Sequence, residues 1–173
     1  MSAWQDELLH HRHEKDAAFR SDPGSPIPPW ERAEFRGLSY FRPDERYRFE
    51  VALVREPPQR LDIQRSGGDI VTYTRLGHFR IGLPDGDVRL ALYESDGEPF
   101  LPFRDATSGK DTYGAGRYLE PQTLDGERFL VDFNRAYNPF CAYNESYSCP
   151  FPPPENWLRV AIAAGERTYG EHG

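Results

Sequence analysis

The spacing of apolar residues along the chain changes from a helical period to a strand period. Over residues 2–20, Trp4, Leu8 and Phe19 fall near one helical stripe, and Ser2 can cap the first turn. Further along, apolar and polar residues alternate with a period of two, which is typical of half-buried strands. This alternation predicts five strands, at 47–53, 79–83, 88–92, 129–133 and 158–162.

Turn-forming sequences separate several of these strands, at 66–69, 84–87, 95–98 and 125–127. Short strands joined by tight turns pair antiparallel, and no helical crossover lies between them. The predicted fold is therefore mainly β, an antiparallel β-sandwich or partly open β-barrel with an N-terminal α-helix. We expect a single domain over 1–173, in which a helical and proline-rich segment, 1–36, packs on a β-domain, 46–165.

Length and charge limit the classes of partner. The chain has 173 residues, which suits one ordinary domain, and its net charge is −7. This charge argues against a nucleic-acid partner, whose phosphates require clustered basic residues. No apolar run approaches the ~18 residues that span a bilayer, and the polar N-terminus does not resemble a secretory signal. We therefore expect no membrane partner and a cytoplasmic location.

Two long stretches fit neither a helix nor a strand: residues 103–119 (loop 103–119) and residues 134–156 (loop 134–156). Both are rich in side chains that form hydrogen bonds. Irregular loops longer than about 15 residues in a compact domain are usually functional. We expect the two loops to enclose a pocket.

Loop 103–119 combines acidic, basic and hydroxyl groups with three glycines. Lys110 and Arg117 could bind an anion beside exposed backbone amides, with Tyr113 near them. Asp105 is a candidate catalytic carboxylate. Neither a P-loop nor a complete dinucleotide-binding glycine motif is present. The alternative is a long hairpin with a glycine bulge whose polar residues stabilise the turn.

Loop 134–156 contains both cysteines of the chain, Cys141 and Cys149, and ends in a stiff proline-rich run. Asp132 precedes it and is a second candidate catalytic carboxylate. The candidate ligand-binding residues here are Asn134, Asn138, Tyr143 and Glu155.

Three kinds of chemistry remain open for these loops. In the first, Cys141 and Cys149 provide half of a zinc site, completed by His78 or by carboxylates such as Asp132 and Glu155. In the second, Cys141 or Cys149 is a nucleophile. In the third, carboxylates carry out acid–base chemistry. No cofactor is predicted, although zinc stays possible, and a disulfide between the two cysteines stays open.

Three stretches of the chain resemble one known family. They are SPIPPWERAEFRGLSYF (25–41), FRDATSGKDTYGAGRYLEP (103–121) and VDFNRAYNPFCAYNESYSCPFPPPENWLRVAIAAGE (131–166). This combination is similar to the domain-of-unknown-function family 1684 of bacteria and archaea. The resemblance implies no established activity, so it provides no known catalytic residue.

These observations predict a small-molecule binding domain. The expected ligand is small and polar or anionic, it lies between loop 103–119 and loop 134–156, and hydrolase-like activity is one option. A first alternative is a non-catalytic protein-interaction module that presents a proline- and aromatic-rich face around Phe140, Phe151 and Trp157. A second alternative is a domain stabilised by zinc or by a disulfide.

Overall fold

The computed structural model describes residues 2–170. Helix α1 spans Ala3–Ser21, and the Ser2 hydroxyl accepts a hydrogen bond from Gln5 N at 3.2 Å. The predicted helix is confirmed, and it buries Leu8 and Phe19. Within residues 2–170, no helix combines the length and apolar character needed to cross a membrane. The predicted single domain, 1–173, includes residues outside this range, namely Met1 and 171–173, and it stays a prediction.

Residues 2–170 contain eight strands and five short 3-10 helices. The strands are β1 Arg48–Ala52, β2 Val54–Gln64, β3 Ile70–Leu83, β4 Gly86–Ser95, β5 Glu98–Phe103, β6 Arg117–Leu119, β7 Gln122–Thr123 and β8 Arg128–Asp132. The 3-10 helices are Pro29–Glu34, Glu45–Tyr47, Phe133–Arg135, Phe140–Ala142 and Pro154–Asn156.

The strands form two antiparallel sheets, which confirms the predicted mainly β fold with an N-terminal helix. The smaller sheet has the order β1-β8-β7 and the larger one β2-β3-β4-β5-β6. Sequential hairpins build the larger sheet, as the turn sequences predict. In the β4–β5 turn, Asp96 (φ 52°) and Gly97 (φ 79°) both adopt the positive φ that a two-residue hairpin turn requires.

The core joins the two sheets in a sandwich-like arrangement. Phe79 of β3 packs edge-to-face against Phe129 of β8, with ring centroids 5.5 Å apart. Helix α1 lies against the end of β8, where Trp4 Nε1 donates to Asp132 Oδ2 at 2.7 Å. Further along α1, Lys15 forms an ion pair with the buried Glu166. The helix is thus held by polar contacts to the same region from which loop 134–156 leaves the sheet.

The predicted strand at 158–162 is wrong, because this segment belongs to neither sheet. It is held by single backbone hydrogen bonds, from Leu158 N to Arg104 O at 2.8 Å and from Ala106 N to Val160 O at 3.0 Å. Ile162 is fully buried. The period-two pattern therefore reflects burial against the core without a strand ladder.

Candidate functional site

Loop 103–119 is organised around the buried carboxylate of Asp105. Its Oδ2 accepts hydrogen bonds from Thr107 Oγ1 at 2.8 Å and from Ile162 N at 2.6 Å. Thr107 Oγ1 also lies 2.9 Å from Thr112 Oγ1, and both threonines are buried. These contacts fix the irregular part of the loop from within, and they leave Asp105 without access to a ligand from solvent.

Arg117, on β6, lies in the core with no exposed surface. Its Nη2 donates to Ile162 O at 2.8 Å, and its Nη1 donates to Glu166 O at 3.1 Å. The Asp105 carboxylate provides the opposite charge, with Nη2 and Oδ1 3.6 Å apart. Burial lowers the pKa of Arg117, and the nearby Asp105 charge opposes this effect. The guanidinium therefore binds carbonyl groups of the protein's own C-terminal segment.

A glycine places Tyr113 at the outer edge of this loop. Gly116 has φ 104°, and a Cβ atom there would lie 2.5 Å from Phe103 O. Its N–H donates to Tyr113 O at 3.0 Å, which closes the turn. Tyr113 is half-buried, whereas Lys110 is exposed on the other side of the turn.

The far end of loop 134–156 is anchored to the turn between β2 and β3. Cys149 N donates to Ser66 Oγ at 3.0 Å, and Ser66 N donates to Cys149 O at 2.9 Å. Two residues later, Phe151 N donates to Gln64 O at 3.0 Å. The Cys149 backbone is therefore fixed nearly as firmly as a strand residue.

Cys141 lies beside Cys149, on the short 3-10 helix Phe140–Ala142. Its N–H donates to Cys149 Sγ at 3.4 Å, and its own Sγ lies 3.7 Å from the Tyr113 hydroxyl. Cys149 is buried and Cys141 is intermediate in exposure, and both are free thiols. The two loops thus meet at a cluster of two thiols and one phenol.

These contacts distribute the charge unequally between the thiols. The hydrogen bond from the Cys149 thiol, helped by those from Tyr113 and Ser66, lowers the pKa of Cys141 to about 6 despite partial burial. The same bond, together with burial, raises the pKa of Cys149. Burial and the Cys141 sulfur raise the pKa of Tyr113. The contacts therefore favour the thiolate form of Cys141 and the protonated forms of Cys149 and Tyr113.

A cleft of about 480 Å³ opens in front of this cluster. Tyr113 and Cys141 form part of its lining, and Trp30, from the segment after α1, forms another wall. Glu31 and Glu145 also line the cleft, which has no lysine or arginine in its lining. Within residues 2–170 neither glutamate forms an ion pair. The cleft is thus acidic and partly aromatic.

Asp132 and Asn134 lie away from the cleft, at the end of β8. Asp132 Oδ1 accepts hydrogen bonds from Asn134 N at 3.0 Å and from Asn134 Nδ2 at 2.8 Å. Asn134 Oδ1 accepts from Asp44 N at 2.9 Å. Both side chains are buried and stabilise the turn that begins loop 134–156.

Asn138 and Tyr143 converge on a carboxylate that the sequence reasoning missed, Glu166. Its Oε1 accepts hydrogen bonds from Asn138 N at 2.9 Å and from the Tyr143 hydroxyl at 2.8 Å. Lys15 pairs with its other oxygen, and the side chain is almost fully buried. Glu166 is the last residue of the family-like stretch 131–166, and its other signal is a charge directly after an apolar segment. Tyr143 also lines the cleft from behind.

Glu155 and His78 belong to a separate polar network on the larger sheet. Glu155 Oε1 accepts from Arg75 Nε at 2.9 Å, and Glu56 contacts His78 Nδ1. Arg89 Nη2 lies 3.0 Å from His78 Nε2 and 3.2 Å from His78 Nδ1, so the imidazole is held between Glu56 and Arg89. The residues suggested as zinc ligands therefore lie in separate places, each with its own hydrogen-bond partners. Over residues 2–170, no three His, Cys, Asp or Glu side chains form a group that could hold a metal ion.

The aromatic residues of the predicted interaction face pack against different groups. Phe140 contacts Phe19 and Tyr147 edge-to-face, whereas the Trp157 ring lies 4.9 Å from the Arg104 guanidinium. Trp157 Nε1 donates to Pro152 O at 2.8 Å. These rings therefore help to hold loop 134–156 on the domain.

Comparisons with known proteins cover both loops. A family model described as "Protein of unknown function (DUF1684)" matches residues 33–167, a range that begins after α1 and Trp30. The chain is also similar to an uncharacterized protein from Haloarcula marismortui, solved by solution NMR. That likeness has a TM-score of 0.71 and 42% identity, and it covers 98% of this chain and 96% of the other. No curated protein matches the chain.

Proposed function

This chain belongs to the DUF1684 family, and we propose, from its cleft, that it binds a small polar ligand, neutral or cationic, between loop 103–119 and loop 134–156. The observation that supports this most is the cleft itself. Tyr113 from one loop and Cys141 from the other line the same concave space, and Trp30 forms a wall. A cleft with aromatic walls and a few convergent polar groups is the usual form of a small-molecule site.

The charge of the cleft favours a neutral or cationic ligand. Its charged lining side chains are Glu31 and Glu145, and the exposed Trp30 ring could bind a cation through its face. An anionic ligand, which Lys110 and Arg117 suggested, is less well supported. The guanidinium of Arg117 is buried, and Lys110 does not line the cleft.

We assign no hydrolytic step to this cleft. Within the described part of the chain, the Cys141 sulfur forms a hydrogen-bond contact with the Tyr113 hydroxyl at 3.7 Å, and no histidine or carboxylate forms one with it. A cysteine hydrolase needs a histidine or another general base within reach of its nucleophile. The concave shape of the cleft favours a small ligand over the alternative, a protein-interaction face. The cytoplasmic location of the protein stays a prediction.

The test is an NMR titration of the ¹⁵N-labelled protein with two probes of similar size and opposite charge, 2-phenylethylammonium and phenylacetate. We expect 2-phenylethylammonium to shift resonances of residues 30, 31, 113 and 141–145, and phenylacetate to leave them in place. Equal shifts with both probes, or shifts confined to other regions, would contradict the proposal.

A pair of tryptophan variants provides the matched control. Trp30→Ala removes a wall of the cleft and should abolish these shifts. Trp157→Ala removes another exposed indole, outside the cleft lining, and should preserve them. Loss of binding in both variants would mean that a general surface property, and not the cleft, holds the probe.

A further inference from the structure

We propose that Cys141 and Cys149 form a redox-active dithiol that exchanges with small organic disulfides entering the cleft, with Cys141 as the attacking and Cys149 as the resolving thiol. The pairing of the two thiols is independent of the ligand proposed above, whereas the preference for cationic disulfides rests on that proposed function.

The positions of the two sulfurs support this division of roles. Cys141 lines the cleft and is only partly buried, so we expect an entering molecule to reach its sulfur. Cys149 is buried, does not line the cleft, and has its N–H and C=O bonded to Ser66. A reactive thiol on the accessible side and a second thiol behind it is the arrangement that thiol–disulfide exchange requires.

The surroundings of Cys141 favour attack by its thiolate. The Tyr113 hydroxyl lies 3.7 Å from the Cys141 sulfur, where it can donate to a thiolate. The Cys141 N–H bonds Cys149 Sγ and so keeps the two thiols side by side. The lowered pKa of Cys141 agrees with this geometry. The Cys141 thiolate disfavours a second negative charge on Cys149. Formation of the mixed disulfide removes this charge, and Cys149 can then lose its proton.

The exchange balances in two steps. The Cys141 thiolate attacks a disulfide RS–SR, which forms a Cys141–SR mixed disulfide and releases RS⁻. The Cys149 thiol then loses its proton to RS⁻ or to water, and its thiolate attacks Cys141 Sγ. This step forms the Cys141–Cys149 disulfide and releases a second RS⁻. The protein loses two electrons, and the small disulfide gains them as two thiols.

The short 3-10 helix Phe140–Ala142 can take up the small movement that the bond requires. It is preceded by Pro139, closed by Ala142 N donating to Pro139 O at 2.9 Å, and it carries no buried side chain. The Cys149 backbone is fixed by contrast, so we expect Cys141 to move and Cys149 to stay in place.

The main experiment treats the reduced full-length protein with bis(2-hydroxyethyl) disulfide and follows intact mass. We expect the wild type to lose about two mass units, the two hydrogens given up on disulfide formation. The Cys149→Ser variant should stop at the mixed disulfide and gain one 2-hydroxyethylthio group. The Cys141→Ser variant should react at least about tenfold more slowly, because its remaining thiol is buried.

Two results would overturn the dithiol. One is stable 2-hydroxyethylthio adducts on both cysteines of the folded wild type. The other is a wild type that keeps two free thiols, although the unfolded protein reacts fully. Both are measured on the wild type, so neither depends on the folding of a variant.

A charge series separates this inference from the proposed function. Cystamine, bis(2-hydroxyethyl) disulfide and dithiodiglycolate run from positive to negative charge. Each rate is divided by the rate with the unfolded protein, because their leaving thiols also differ in pKa. At low salt we expect cystamine to react about tenfold or more faster than dithiodiglycolate, because the acidic cleft concentrates cations. Equal rates with an intact Cys141–Cys149 disulfide as product would refute the proposed ligand charge and leave the dithiol standing.

Discussion

Loop 103–119 and loop 134–156 are both long, irregular and rich in polar side chains, yet they use those side chains differently. In loop 103–119, Asp105 and Arg117 are buried and bound to protein groups, including the backbone of residues 162–166. In loop 134–156, Cys141 lines an open cleft and is only partly buried. The comparison shows that a dense set of polar residues identifies an ordered loop. Only the direction of each side chain separates a scaffold from a site.

The largest expected effect is the loss of stability when the buried ion pair of loop 103–119 is removed. Arg117→Ala would leave the Asp105 carboxylate and several carbonyl groups buried without their partner. We expect it to lower the free energy of unfolding by about 3 to 5 kcal/mol, measured by urea denaturation. Lys110→Ala, in the same loop but exposed, should change it by less than about 0.5 kcal/mol. A stable Arg117→Ala protein that has lost ligand binding would contradict the scaffold role.

The next effect tests how tightly the scaffold fixes Tyr113. Gly116→Ala and Gly109→Ala both place a Cβ at positive φ, but only at Gly116 does it meet other atoms, with Phe103 O at 2.5 Å. We expect Gly109→Ala to cost about 1 to 2 kcal/mol from backbone strain alone. Gly116→Ala should cost about 1 to 3 kcal/mol more because of the added clash. Equal thermal unfolding curves for the two variants would show that the turn is not close-packed.

A third prediction concerns the charge of Cys141 in loop 134–156. The pKa of Cys141 is lowered to about 6. Its thiolate fraction therefore increases as the pH is raised through 6, and it decreases as the pH is lowered through 6. Alkylation of Cys141 by iodoacetamide should therefore have its midpoint near pH 6, whereas an ordinary thiol has it near about 8.5. A midpoint near the ordinary value in the wild type would contradict the hydrogen-bonded pair.

A matched pair of variants identifies the cause of that shift. Cys149→Ala removes the donor and should raise the midpoint by about 1 to 2 pH units. Cys149→Ser keeps a donor at the same place and should leave the midpoint close to that of the wild type. If both variants behave alike, the hydrogen bond from position 149 does not set the reactivity of Cys141.

The smallest expected effect concerns the contact between the two loops. Tyr113→Phe removes one hydroxyl that contacts the Cys141 sulfur at 3.7 Å. We expect the alkylation midpoint to rise by less than it does in Cys149→Ala, because the contact with Cys149 is the stronger influence on Cys141. The free energy of unfolding should change by less than about 1 kcal/mol. A larger loss of stability would place Tyr113 in the scaffold.

The sequence predicts the fold well wherever local patterning decides it. Ser2 caps the helix as expected, and the turn at 95–98 forms the predicted hairpin. The segment 158–162 shows where patterning fails, since alternating burial on a core surface also arises without a neighbouring strand. Strands β2, β5, β6 and β7 are not among the five predicted strands. Three and two residues, in β6 and β7, are too short a pattern to detect, and two consecutive prolines interrupt β2.

The site was predictable only as far as its two loops. Their composition indicated two loops that meet at one cleft, and Tyr113, Cys141 and Tyr143 line it. Tertiary packing decides the rest. It turns Arg117 into the core, places Asp132 and Glu155 in separate contacts, and brings Trp30 of the N-terminal segment to the cleft. Glu166 was missed for the same reason, because its partners Lys15 and Asn138 are distant in the chain.

The most direct test of the central claim, that ligand and thiol share one cleft, is the rate of Cys141 alkylation at pH 7 with and without 2-phenylethylammonium. The account predicts that saturating 2-phenylethylammonium slows alkylation of Cys141 in the wild type and has no effect in Trp30→Ala. An unchanged Cys141 rate in the wild type, at concentrations that saturate the NMR shifts, would place the ligand elsewhere and contradict the claim.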